Sequence, residues 1–191
     1  MKTVSIMIVG VGGQGTLLAS RILGAALTAQ GFDVKVSEVH GMSQRGGSVV
    51  TYVKYGDRVY SPVVEKGEAD VILAFERLEA ARALPYLKQG GVLLVNDQRV
   101  DPMPVITGAA EYPADILPRI AAAGCNVVAI DALTLAQQAG SAKAVNVVLI
   151  GLLSRRLGFA DEVWRQALET VVPPKFLELN RRAFALGAEQ A

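Results

Sequence analysis

The chain holds one cysteine, Cys125, and one histidine, His40, among 191 residues. A single thiol forms no internal disulfide and cannot hold an iron–sulfur cluster, which takes about four ligands. The same scarcity excludes a His/Cys zinc centre. If the chain serves redox chemistry, the metal and the electrons belong on another chain. Charge is equally unbiased: 19 basic residues against 18 acidic ones leave a net charge of +1. With no basic run, nothing invites nucleic acid. No apolar run approaches the ~18 residues that a membrane span needs. Met1-Lys2-Thr3 leads straight into an apolar strand pattern, so no signal peptide and a cytoplasmic location are expected. Catalytic machinery is missing as well. There is no Ser–His–acid set, no Walker lysine and no carboxylate pair, so neither catalytic residues nor metal ligands are assigned.

What is abundant is apolar. Hydrophobic residues make up 51% and charged ones 19%, the balance of a compact globular protein and not of a disordered one. The mean hydropathy of +0.35 exceeds that of a typical free monomer. Either faces are buried against other subunits or the sheet core is thick. Length and the absence of linkers or repeats indicate a single domain over 1–191, a sheet core to about residue 131 and a helical part beyond it.

The chain is organised around its start. The strand pattern Val4-Ser5-Ile6-Met7-Ile8-Val9 runs into Gly10-Val11-Gly12-Gly13-Gln14-Gly15, and a helical run over 16–30 follows. Gly10, Gly12 and Gly15 match G-x-G-x-x-G between a strand and a helix, the context that gives the pattern meaning. On this reading Gly10 permits a tight turn, Gly12 a close backbone approach, and Gly15 helix–strand packing. The helix N-terminus suits an anion such as a phosphate. The plainer reading is a glycine turn that binds nothing, and Gly13 is one glycine more than the fingerprint requires.

A second strand over 33–39 alternates apolar and polar residues. It carries Glu38, 23 residues past Gly15, near where an acid takes a ribose hydroxyl. The competing reading bonds Glu38 to the neighbouring loop or to Arg45. The loop that follows, His40-Gly41-Met42-Ser43-Gln44-Arg45-Gly46-Gly47-Ser48, falls at the carboxyl end of that strand. Ligands of open α/β sheets bind at this edge. Arg45 could fork onto a phosphate or carboxylate, or pair with Glu38 or a partner subunit. A lone His40 reads as structural more readily than as a general base.

Onward, 48–55 is β-rich, Gly56-Asp57 reads as a turn, and 58–61 returns, which predicts a hairpin. A buried strand over 69–75, a helix over 76–87 stopped by Gly90-Gly91, and a strand over 92–96 form a parallel crossover. The prolines in 101–106 predict an edge strand. A helix over 112–123, a strand over 126–131 and helices over 132–139, 142–157, 160–171 and 174–186 complete the chain. The long apolar helix packs between layers or against another subunit. Glu76, Asp97 and Asp131 fall at strand ends, where helix caps are commoner than catalytic acids. The fold class is α/β, a three-layer Rossmann-like, mostly parallel sheet with a β-hairpin insertion and a helical C-terminal cap.

The glycine loop, taken with Ser37-Glu38-Val39-His40-Gly41-Met42-Ser43-Gln44-Arg45-Gly46-Gly47-Ser48-Val49, resembles the gamma-type domain of 2-oxoacid:ferredoxin oxidoreductases. With Tyr60-Ser61-Pro62, Ala69-Asp70 and Val172-Pro173-Pro174-Lys175-Phe176 it looks most like the beta subunits of indolepyruvate-oxidising members. Ser43 stands where many relatives are expected to have alanine. The resemblance implies a heteromer, in one arrangement a dimer of heterodimers, with an alpha subunit that carries thiamine diphosphate and iron–sulfur clusters. Such a complex oxidatively decarboxylates aryl pyruvates to aryl-acetyl-CoA and passes electrons to ferredoxin. The gamma-type domain then contributes to coenzyme A binding and assembly. Gly10, Gly12, Gly13, Gln14, Gly15, Glu38, Ser43, Arg45 and Gly46 are the candidate binding residues on that basis. The rival readings are an independent NAD(P)- or flavin-dependent oxidoreductase and a purely structural scaffold.

Overall fold

A computed structural model of the protein describes residues 2–38 and 46–191. Six strands form one sheet in the order β2-β3-β1-β4-β5-β6. They are β1 (Val4–Val11), β2 (Asp33–Glu38), β3 (Ser48–Gly56), β4 (Ala69–Ala74), β5 (Leu87–Asn96) and β6 (Asn126–Ile130). Strands β1, β4, β5 and β6 are parallel, while β3 runs against both β1 and β2. The unbroken apolar run of β1 is explained by its place: Ile6, Met7, Ile8 and Val9 are buried on both faces, as in sheets covered by helices on each side.

One face carries α1 (Thr16–Ala29), α5 (Ala132–Ala139), α6 (Val145–Leu157), α7 (Asp161–Val171) and α8 (Leu177–Ala188). The other carries α2 (Arg77–Ala83) and α4 (Ile116–Ala122). The four-residue α3 (Met103–Ile106) lies between β5 and α4 in the chain. Helix α6 is buried at every position from Val145 to Ser154, so its apolar sequence is satisfied inside this chain. Two glycines allow it. A Cβ on Gly151 would collide with the Phe184 carbonyl, and one on Gly187 with the Val148 carbonyl. Helices α6 and α8 therefore meet backbone to backbone.

Four expectations change. The hairpin is made by β2 and β3, and 58–61 contains no strand. Both edges of β3 are already taken, by β1 and β2, so a returning strand has nothing to pair with. The helix after β4 stops at Ala83, Leu84–Tyr86 forms a single 3₁₀ turn containing Pro85, and Gly90-Gly91 lies inside β5. The β4–β5 register shifts there between Ala69 and Val71. The segment 101–106 is no edge strand: Met103–Ile106 is helical, with Pro104 in the first turn where a missing N–H costs nothing. The helix placed at 112–123 shrinks to Ile116–Ala122, because Tyr112 is held outside it by a hydrogen bond to Glu76.

Candidate functional site

At the carboxyl edge of the sheet, β1 ends at Val11 and α1 begins at Thr16. The turn between them needs two left-handed residues, Gly13 (φ 97°) and Gly15 (φ 85°), a conformation that costs other residues about 1–2 kcal/mol. Gly13 is thus required by the backbone, and its missing Cβ would meet nothing within 4 Å. Gly10 does not make the turn; it is a β1 residue paired with Val49. A Cβ there would sit 2.8 Å from Gln14 Oε1 and 2.9 Å from Phe75 Cβ. Gly15 caps α1, and its close neighbour is Asn146 of α6, 2.6 Å from where a Cβ would be. Asn146 Nδ2 donates to the Gly15 carbonyl at 3.2 Å.

The loop's polar groups divide into spent and free. Gly12 N–H donates to the Gly47 carbonyl at 2.8 Å, and Gln14 N–H to Val11. The Gln14 side chain accepts from Val11 N–H at 2.7 Å and donates to the Phe75 carbonyl at 3.2 Å. Both ends of that amide are thus bonded within the protein. By contrast, the N–H groups of Gly13, Gly15, Thr16 and Leu17 find no acceptor among the described residues, and α1 has neither a side-chain cap nor an acid in its first turn. Free donors at the positive end of a 14-residue helix are the kind of groups that suit an anion.

Beside them lies a cavity of about 240 Å³ lined by Gly12, Gly13, Gly15, Thr16 and Leu17 on one side and Val49, Val50 and Thr51 of β3 on the other. Among the described residues no charged side chain lines it, and its polar groups are backbone amides and the two threonines, Thr16 and Thr51. Further along α1, Ser20, Arg21 and Gly24 with Val36 and Glu38 of β2 line a second cavity of about 340 Å³. Glu38 accepts there from the Ser20 hydroxyl at 2.6 Å. This places it on the flank of α1, with a partner that its sequence surroundings do not disclose.

The second loop reaches the first through the Gly12–Gly47 bond, but Gly46 faces the other way. With Val11, Gly47, Ser48, Glu76, Leu78 and Glu79 it lines a cavity of about 170 Å³ on the α2 side. Its described lining holds Glu76, Glu79 and Asp101 against one cation, Arg82. Glu76 is the α2 cap, accepting from Leu78 N–H at 2.6 Å and Glu79 N–H at 3.0 Å. It also takes a hydrogen bond from the Tyr112 hydroxyl, and burial together with that bond pushes the phenol well above its ordinary range. Glu79 is paired with Arg82 at 2.6 Å and accepts from Ser48. The carboxylate surplus there works against an anion, whereas no acidic side chain of the described residues lines the β3-side cavity. Asp131 also proves to be a cap, of α5, while Asp97 pairs with Arg77. Ser43 and Arg45, with His40, lie outside the described residues.

Sequence reading missed Asn146, Ser20 and the β3 wall. Asn146 left a signal, being the one polar residue in an otherwise apolar stretch from Val145 to Leu153. Among the described residues no group of three or more His, Cys, Asp or Glu side chains could hold a metal ion.

The family model for pyruvate ferredoxin/flavodoxin oxidoreductase matches residues 5–190. The chain belongs to that family. Its similarity to the indolepyruvate oxidoreductase subunit IorB of Thermococcus kodakarensis is 46% identity, over 100% of this chain and 97% of the relative. A solved keto/oxoacid ferredoxin oxidoreductase gamma subunit from Geobacter sulfurreducens superposes with a TM-score of 0.73 at 27% identity, covering 98% of both chains. The fold also recurs, at TM-score 0.77 and 20% identity, in a longer chain of which it covers 31%. That chain is the 2-oxoglutarate:ferredoxin oxidoreductase of Magnetococcus marinus, solved with 2-oxoglutarate, coenzyme A and succinyl-CoA bound. The same fold thus occurs both as a separate subunit and as part of a larger chain. Among the described residues, no helix is long and apolar enough to cross a membrane.

Proposed function

We propose that this chain is the coenzyme-A-side subunit of a 2-oxoacid:ferredoxin oxidoreductase acting on aryl pyruvates such as indolepyruvate. An alpha subunit carries the thiamine diphosphate and iron–sulfur clusters, and ferredoxin takes the electrons. The family supports the reaction class, and the resemblance to indolepyruvate-type subunits supports the substrate. The observation that carries the site is the uncapped start of α1, where four N–H donors open on a cavity that no acidic side chain of the described residues lines. In this reading they hold a phosphate of coenzyme A, with Arg45 as a second holder of the anion.

Gly13 offers the test. Its surroundings leave space for a side chain, and Asn and Asp, the residues that visit positive φ most readily after glycine, meet the same backbone strain there. Gly13→Asp and Gly13→Asn therefore differ in charge and hardly in shape. A carboxylate within several ångströms of a bound phosphate costs about 1 kcal/mol at a half-exposed site. In calorimetry of coenzyme A on the assembled complex, the Asp variant is expected to bind roughly five- to tenfold more weakly than the Asn variant. Equal affinities would remove the anion from this loop and leave the scaffold reading.

A further inference from the structure

In open α/β sheets the ligand crevice lies at the carboxyl ends of neighbouring strands whose connections leave in opposite directions. Here those strands are β1 and β4: α1 leads from β1 toward β2 on one face, and α2 leads from β4 to β5 on the other. That crevice is not open. Gln14 lies across it, with Oε1 on Val11 N–H and Nε2 on the Phe75 carbonyl. The two backbone partners fix which end of the amide is oxygen. Gly10 leaves the room that Gln14 and Phe75 occupy, since any Cβ there would touch both.

The Phe75 carbonyl is shared. The Asn96 amide, fully buried at the end of β5, donates to it at 3.2 Å and accepts from Ala132 N–H, the first residue of α5, at 3.1 Å. Two side-chain amides joined through one carbonyl thus tie the ends of β1, β4 and β5 to the start of α5. Breaking such bonds is costly where the group stays away from water, fully so at the buried Asn96 and in part at the half-buried Gln14.

We propose that Gln14 is a positioning residue, whose amide seals the β1–β4 crevice and holds the glycine loop so that its free N–H groups face the β3-side cavity. It touches no ligand. The assignment rests on reading that cavity as the anion site, and it explains why a loop with a dinucleotide-like pattern presents its donors away from the usual crevice.

Gln14→Glu keeps the acceptor for Val11 N–H but sets an oxygen against the Phe75 carbonyl. Gln14→Met removes both bonds without adding charge and serves if the first variant folds poorly. In the assembled complex, either variant is expected to raise the KM for coenzyme A about tenfold with kcat little changed. Amide hydrogen exchange should quicken at residues 10–18 and, through Asn96, at Ala132. If Gly13→Asp weakens coenzyme A binding while the Gln14 variants leave its KM and the exchange unchanged, the positioning role is overturned and the anion site stands. If no variant affects coenzyme A, the anion reading fails. Exchange then decides alone: unchanged rates at 10–18 sink the proposal, and faster rates at both 10–18 and Ala132 sustain Gln14 as the loop's clamp.

Discussion

Asp131 shows how a single carboxylate acts here. It stands before α5 and accepts from the Thr134 hydroxyl at 2.6 Å and the Thr134 N–H at 3.0 Å. Both bonds favour the ionised form, the hydroxyl most, and hold its pKa below the usual carboxylate range. The folded value lies below the unfolded one, so the stabilisation is complete above about pH 4 and is lost as pH falls through the depressed folded value. Asp131→Ala should cost about 1 kcal/mol at pH 7, the ordinary worth of an N-cap. Denaturant unfolding at pH 7 and near pH 2.5 checks it: the difference between variant and wild type should shrink at the acid end. A difference that survives unchanged would mean that the charge is not what caps the helix. This role was legible in the sequence, since an acid before an apolar helical run is a local signal. Gln14 was not. Its partner Phe75 is 61 residues away, and only the fold brings the two together.

The helices carry a comparable contrast between two glycines. Gly24 lies inside α1 with nothing within 4 Å of its missing Cβ, whereas a methyl on Gly187 in α8 would enter the Val148 carbonyl of α6. Gly24→Ala should stabilise by roughly 0.5–1 kcal/mol through helix propensity. Gly187→Ala should destabilise by about 3 kcal/mol, because two packed helices must move apart. Thermal unfolding would then show a rise of a few degrees for the first and a fall of about 9 °C for the second, at roughly 3 °C per kcal/mol for a domain of this size. A neutral Gly187→Ala would show that α6 and α8 separate freely. Periodicity gave the existence of β1, α1, α6 and α8, since long strongly patterned segments carry their own signal. It failed where pairing is decided from afar. Gly56-Asp57 has turn chemistry, yet β3 pairs with β1 and β2. The prolines of 101–106 forbid a central strand but fit a helix's first turn equally well.

At the scale of the whole molecule the question is where the apolar surplus goes. Most of it is internal. The larger core continues from β1 and α1 through α6 to α8, and a second core lies beneath α2 and α4. Among the described residues the large exposed hydrophobics are Val36, Tyr60, Val63, Met103, Ile106 and Phe176. They are spread over the edge strand β2, the segment between β3 and β4, α3 and the turn before α8. Scattered exposures of this kind do not require a covering partner, whereas a contiguous patch would. The hydropathy is therefore explained by a thick core with α6 enclosed in it. Subunit association, which the family's multi-subunit members display, needs no hydrophobic debt to settle. The expected consequence is that the separately produced chain folds cooperatively on its own. Its unfolding midpoint should stay within about 1 °C across a hundredfold range of protein concentration, because nothing bound to the folded state shifts with mass action. Calorimetric scans over that range decide it. A midpoint that climbs several degrees with concentration would show that copies of the chain bury surface against each other, and the enclosed α6 would not then account for the composition.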